Sequence, residues 1–288
     1  MRITEVVSQG LTLDVLDDGP IDGDPVVLLH GFPERATSWR RVAPLLHQAG
    51  YRTLALDQRG YSPRARPQGR KYYSMGRLAG DVGALIDAVG MPVHLVGHDW
   101  GAGVGWVVAA TSGDRVRSYT ALSVPHPGAY ARALRGRQGL KSWYMALFNL
   151  PWLPEFMAGH TGFMEWFLER SGMDREELER YRGEILRAGA LTGGLNWYRG
   201  MGMDLKQRVP RVSIPATMVW SDGDIAIDRS GVLMCRDYCK GEYELIELKG
   251  VSHWIPTQAP EAAAEAILGR IRSVEPGGSP PADSSVVD

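Results

Sequence analysis

The chain has 288 residues, 44% of them hydrophobic and 23% charged, which supplies a sizeable core and excludes a disordered or fibrous protein. Lys and Arg total 32 against 33 Asp and Glu, a formal charge of -1, so no overall field recruits nucleic acid or an anionic membrane, and a neutral small molecule is the fitting partner. No apolar run approaches the roughly 20 residues that span a bilayer, and the first residues alternate apolar and polar without a signal peptide's apolar stretch, so the expectation is a cytoplasmic protein with one core and an inserted subdomain.

Residues 3–8 and 12–17, joined through Gly10, predict an antiparallel pair at a sheet edge. Buried-strand runs follow at 25–30 (PVVLLH), 52–56 (RTLAL), 93–98 (VHLVGH) and 118–124 (SYTALSV). Their continuous apolar, β-rich character indicates a parallel sheet covered on both faces. Residues 37–49 and 76–89 carry apolar residues at helical spacing, as in Leu78, Val82, Leu85 and Ile86, and Gly50 and Gly90 stop the two helices. This βαβ rhythm breaks after Pro125-His126-Pro127-Gly128. Residues 128–206 lack strand signals and read as helices rich in Trp, Met, Leu and Tyr, a cap inserted between two parts of one core, 1–127 and 207–272. Strands return at 216–220 (ATMVW) and 243–249 (YELIELK), and a closing helix spans 260–272. The tail 273–288, with Pro, Gly and Ser and no periodicity, predicts disorder. Cys235 and Cys239 lack a surrounding His or Cys cluster and read as free thiols, so neither a metal nor a cofactor is implied.

The strand at 93–98 runs through Gly97-His98-Asp99-Trp100-Gly101 into a helical segment from Ala102. Such a strand-to-helix turn strains the backbone of its central residue and needs small residues two before and two after it. The helix N-terminus beneath it favours negative charge, which makes Asp99 an ionised nucleophile; merely capping the helix is its plain alternative. Upstream, Leu29-His30-Gly31-Phe32-Pro33 leaves the strand at 25–30. The backbone N–H groups of Phe32 and Trp100 are assigned to hold the negative oxygen of a tetrahedral intermediate, while His30 and His98 read as structural. A base is expected after the last strand, where Gly250-Val251-Ser252-His253-Trp254 offers His253. Two carboxylates that can orient it, Asp222 and Asp224, follow the strand at 216–220.

HGFP at 30–33, LDQRGYS at 56–62, VGHDWGA at 96–102 and VPHPG at 124–128 together resemble the epoxide hydrolase branch of the α/β-hydrolases, over about residues 3–272. The resemblance implies the α/β-hydrolase fold, a mostly parallel sheet flanked by helices with an inserted helical cap, and nucleophile, acid and base in that order. The family pattern places the acid four residues beyond the Trp220 position, which selects Asp224 and leaves Asp222 as a turn residue. Ser252 departs from the glycine usual before the histidine. Two cap tyrosines are implied as donors to the epoxide oxygen: Tyr144, in Ser142-Trp143-Tyr144, and Tyr198, in Asn196-Trp197-Tyr198, whereas Tyr130 and Tyr181 read as packing. Phe32, Trp100, Trp143, Trp197 and Trp254 are expected to bind substrate.

An aspartate gains little from attacking an ordinary ester, because the product is an anhydride; it suits displacement at saturated carbon. The implied reaction is hydrolysis of an epoxide to a vicinal diol through a covalent aspartyl ester. Haloalkane dehalogenases share the triad but commonly carry Asn where this chain has Phe32, and a leaving halide needs N–H donors where an alkoxide needs a proton. A catalytically silent fold used to bind a ligand is the alternative from another class. The expected partners are a small apolar epoxide and water, with neither nucleic acid nor membrane, and a homo-oligomer is compatible with the sequence.

Overall fold

In a computed structural model, which describes residues 1–204, 208–275 and 286–287, the apolar runs become one twisted sheet. Its strands are β1 (Glu5–Ser8), β2 (Leu11–Asp18), β3 (Pro25–Leu29), β4 (Arg52–Leu56), β5 (Val93–His98), β6 (Val116–Leu122), β7 (Ala216–Ser221) and β8 (Tyr243–Leu248). They lie in the order β1-β2-β4-β3-β5-β6-β7-β8, and Val286–Val287 pair with the outer edge of β8 as β9. Pairs β1/β2 and β2/β4 are antiparallel and the others parallel. The core helices are α1 (Ala43–Gln48), α2 (Met75–Val89) and α3 (Trp100–Thr111). Between β6 and β7 come the cap helices α4 (Pro127–Ala133), α5 (Arg137–Lys141), α6 (Trp143–Asn149), α7 (Leu153–His160), α8 (Phe163–Arg170), α9 (Arg175–Arg180) and α10 (Leu191–Met201). Helices α11 (Arg229–Leu233), α12 (Ile255–Gln258) and α13 (Pro260–Ser273) complete the core.

Strand periodicity explains why two helical layers are needed. Val27 and Leu29 of β3 point to one face and join Leu78, Val82, Leu85 and Ile86 of α2. Val26 and Leu28 point to the other and join Leu46 of α1 with Ala263, Ile267 and Ile271 of α13. Both faces being apolar, neither can be left to water. Strand β6 begins at Val116 and ends at Leu122 rather than running over 118–124, because Ser123 takes a left-handed φ of 70° and turns the chain out of the ladder.

The cap rests on the LDQRGYS segment. Backbones of Gly60 and Gly193 of α10 approach so closely that a β-carbon on either would strike the other's main chain. Four residues on, Trp197 donates its indole N–H to Arg59 O at 2.7 Å, and Arg59 is itself fixed by a buried bidentate pair with Asp81 of α2, 2.7 Å at each contact. Helix α10 is thus set against the core at a fixed height, which determines where its next residue, Tyr198, arrives.

Cys235 and Cys239 are free and buried. Of the tail, Ser273 closes α13, and residues 276–285 and 288 lie outside the described residues. Among the described residues no helix is long and apolar enough to cross a membrane.

Candidate active site

Strand β5 ends at His98 and α3 begins at Trp100, leaving Asp99 between them at φ 52°, ψ −121°, a conformation costly for any residue with a β-carbon. The surrounding glycines answer to that tightness. A β-carbon at Gly97 would enter the Gly101 carbonyl, one at Gly101 the Leu29 carbonyl, and one at Gly31 the Asp99 carboxylate itself. Asp99 makes no side-chain capping bond to α3, so helix capping does not account for it. Its Oδ1 instead accepts from Phe32 N–H at 2.7 Å, and its Oδ2 lies 3.3 Å from His253 Nε2. Trp100 N–H stands beside it in the first turn of α3, where backbone donors have no intrahelical acceptor.

On the far side of the imidazole, His253 Nδ1 is 2.7 Å from Asp224 Oδ2. Asp224 is buried, and its other oxygen accepts from Ala226 N and Ile227 N at 2.7 and 2.9 Å, so the carboxylate cannot swing away. Asp222 accepts from Gly250 N at 2.8 Å and closes the exposed turn. The structure therefore brings Asp99, His253 and Asp224 together and leaves Asp222 out. His30 is buried, with Nδ1 3.0 Å from Gly31 O and Nε2 accepting from Gln58 N at 3.1 Å, contacts that shape the Phe32 loop.

Burial alone would lower the His253 imidazole, but the carboxylates of Asp224 and Asp99 outweigh it and push it up to about 10. For Asp99, burial works upward; the hydrogen bond and charge of His253, with Phe32 N–H, more than reverse this and hold it below the usual carboxylate value. Both directions favour an imidazolium beside a carboxylate. Because folding raises the imidazole, it contributes stability that is whole below about pH 6.5, an ordinary imidazole's value, and is lost as the pH climbs to about 10. Over that interval the melting temperature of the wild type is expected to fall further than that of His253→Gln. Parallel curves for the two, followed by circular dichroism, would contradict the charge assignment.

The cap lays aromatic side chains against Phe32 and Trp100, the residues beside Asp99. The Tyr198 ring, on α10, meets Trp100, Phe148 and Phe32 at centroid distances of 4.9, 5.1 and 5.2 Å. Tyr144, on α6, lies 6.2 Å from Tyr198 and 5.5 Å from Phe148. Burial first, then nearby charge including that of Asp99, raises both phenols well above their ordinary value, so both stay protonated at neutral pH. Tyr130 is otherwise engaged, its hydroxyl 2.8 Å from Ser142 Oγ, and Tyr181 is buried.

Three of the residues expected to bind substrate have partners within the protein. Trp197 is fully buried, its N–H committed to Arg59 O and its ring edge-on to Trp100 at 5.9 Å, so it supports the wall. Trp254 gives its N–H to Ser171 Oγ at 2.9 Å and packs on the His253 ring at 5.1 Å. Trp143 is half exposed, with its ring against Tyr144 and Phe167. Phe148 and Phe167 join the cluster of rings around Tyr144 and Tyr198. Phe148 stands four residues after Tyr144, the spacing that shares a helix face, and was therefore legible; Phe167 arrives from α8, 5.5 Å from Tyr144, with no local signal.

Residues 24–260 match the family described as alpha/beta hydrolase fold. The chain is 31% identical to epoxide hydrolase A of Mycobacterium tuberculosis, across 94% of this chain and 97% of that protein. It is 32% identical to an AB hydrolase superfamily protein of Bacillus subtilis, across 93% and 97%. Among solved structures, one reported with novel epoxide hydrolases in metagenomes from hot environments superposes with a TM-score of 0.83 at 28% identity, covering 93% of this chain and 97% of that one. Epoxide hydrolase A from Mycobacterium thermoresistibile gives 0.79 at 28% identity, covering 94% and 98%.

Proposed function

The chain belongs to the α/β-hydrolase family, in its epoxide hydrolase branch, and on that premise we propose that it hydrolyses epoxides to vicinal diols through an ester on Asp99. What supports this reading is that Tyr144 and Tyr198 share one cluster of rings with Trp100, which follows Asp99, and Phe32, whose backbone N–H donates to its carboxylate, while Asp99 Oδ2 lies 3.3 Å from His253 Nε2.

In the proposed cycle Asp99 Oδ2 attacks a ring carbon, the carbon–oxygen bond breaks, and a phenol proton of Tyr144 or Tyr198 passes to the leaving oxygen. The His253 imidazolium restores the phenol. What remains is a neutral imidazole beside an uncharged ester: one of the two carboxylates that raised the imidazole is gone, so it now accepts a proton from water. Hydroxide adds to the Asp99 carboxyl carbon, and Oδ1, already 2.7 Å from Phe32 N, becomes the oxyanion held there and by Trp100 N–H. Collapse expels the diol oxygen that came from Asp99, which leaves with the proton of the added hydroxyl. Carboxylate and imidazolium are restored, and the protons balance.

Phe32, Trp100 and Phe148 around the phenols favour a small apolar epoxide. The dehalogenase alternative finds less support: the indole N–H groups of Trp197 and Trp254 are engaged within the protein, and phenols suit a developing alkoxide better than a halide. A silent ligand-binding fold would have no use for the strained Asp99 backbone. The test is a panel of aryl and alkyl epoxides beside haloalkanes, assayed for diol and for halide. Diol from epoxides is the expected result; halide without diol would replace the reading with dehalogenation, and neither product would favour the silent fold.

A further inference from the structure

His253 lies on a loop between β8 and α12, yet its imidazole must meet Asp224 at 2.7 Å and Asp99 at 3.3 Å at once. Side chains at the ends of three adjacent parallel strands grip the main chain of that loop. Ser221, the last residue of β7, donates its hydroxyl to Ser252 O at 2.8 Å. Ser123, just past β6, donates to His253 O at 2.9 Å, and His98 Nε2, at the end of β5, reaches the same oxygen at 2.9 Å.

Ser123 is the informative member. It is fully buried, and its φ of 70° is the left-handed conformation in which a β-carbon is unfavourable and glycine is at ease. A serine kept in that conformation implies that the hydroxyl has a use there which a glycine could not supply.

We propose that Ser123 is a positioning residue for His253: its hydroxyl holds the His253 carbonyl so that the imidazole is aimed both at Asp224 and at the water that cleaves the ester. The kinetic part of this inference rests on the aspartyl-ester reading; the geometric part does not. Ser123→Ala and Ser123→Gly both remove the hydroxyl, but glycine also relaxes the backbone, so the glycine variant should melt above the alanine variant. A defect that persists in the glycine variant is therefore not a folding defect. By proton NMR, the downfield imidazole N–H signal of the His253–Asp224 hydrogen bond should shift or broaden in both variants. In rapid-quench experiments the ester should form at the wild-type rate and amplitude and decay about tenfold more slowly. A wild-type N–H signal or wild-type ester decay in Ser123→Gly would overturn the proposal. Failure of the wild type to form any ester would instead overturn the ester reading, and the N–H signal would then decide the role of Ser123 by itself.

Discussion

His253→Gln is expected to consume about one equivalent of epoxide and then stop, with the added mass retained on the peptide that bears Asp99. The two half-reactions draw on different groups. Ring opening needs the Asp99 carboxylate and a phenol proton, whereas ester hydrolysis needs a base beside the ester, and His253 Nε2, 3.3 Å from Asp99 Oδ2, is the base in place. Glutamine fills similar space but takes no proton from water at neutral pH. The variant also loses the interaction that holds Asp99 below the usual carboxylate value, so trapping belongs at about pH 8, where an ordinary carboxylate is ionised. Asp99→Ala should acquire no adduct. Asp224→Ala should accumulate the same ester and release it slowly, because the imidazole survives without its orienting partner, while Asp222→Ala should turn over nearly as wild type. Full turnover by His253→Gln would contradict the assignment.

Replacing Tyr144 and Tyr198 by phenylalanine tests the other half-reaction. The rings pack against Phe148, Trp100 and Phe32, so deleting the hydroxyls leaves the ring packing in place and removes the proton donors, together with the hydrogen bond between Tyr198 and Trp100. Each single variant should slow ester formation by only about tenfold, since the remaining phenol still reaches the leaving oxygen. The double variant should lose about 10⁴-fold, the upper range for general acid catalysis by positioned groups. The effects should be non-additive, because the two phenols serve one atom. Melting temperatures near wild type would accompany the loss. Unchanged ester formation in both single variants would reduce the pair to packing and return weight to the dehalogenase alternative.

The strained place of Asp99 was legible because a turn this tight admits only glycine at Gly97, Gly101 and Gly31, and those three surround Asp99 in two short motifs. His253 was legible from position, as the histidine after the last long strand. Asp224 was not separable from Asp222 by chemistry, since both follow β7 and only tertiary direction sends one to the imidazole and the other to Gly250 N; family spacing decided it. The aromatic residues show where local reading stops. Trp197 and Tyr198 are neighbours on α10, about 100° apart around the helix, so one turns to Arg59 and the other to Tyr144, and no compositional rule says which. The end of β6 is not legible for a related reason: serine is an ordinary strand residue, and nothing local announces the left-handed turn at Ser123, whose hydroxyl meets a carbonyl 130 residues away.

A single turnover with enzyme in excess, run in heavy-oxygen water and analysed by mass spectrometry, puts the covalent route to the most direct test. On the proposed route the diol would take one oxygen from the epoxide and the other from Asp99, while water would supply the oxygen that rebuilds the carboxylate. The account therefore predicts unlabelled diol and one heavy oxygen in the peptide bearing Asp99. Label in the diol at the first turnover, with Asp99 unlabelled, would mean that water attacks the ring directly and would contradict it.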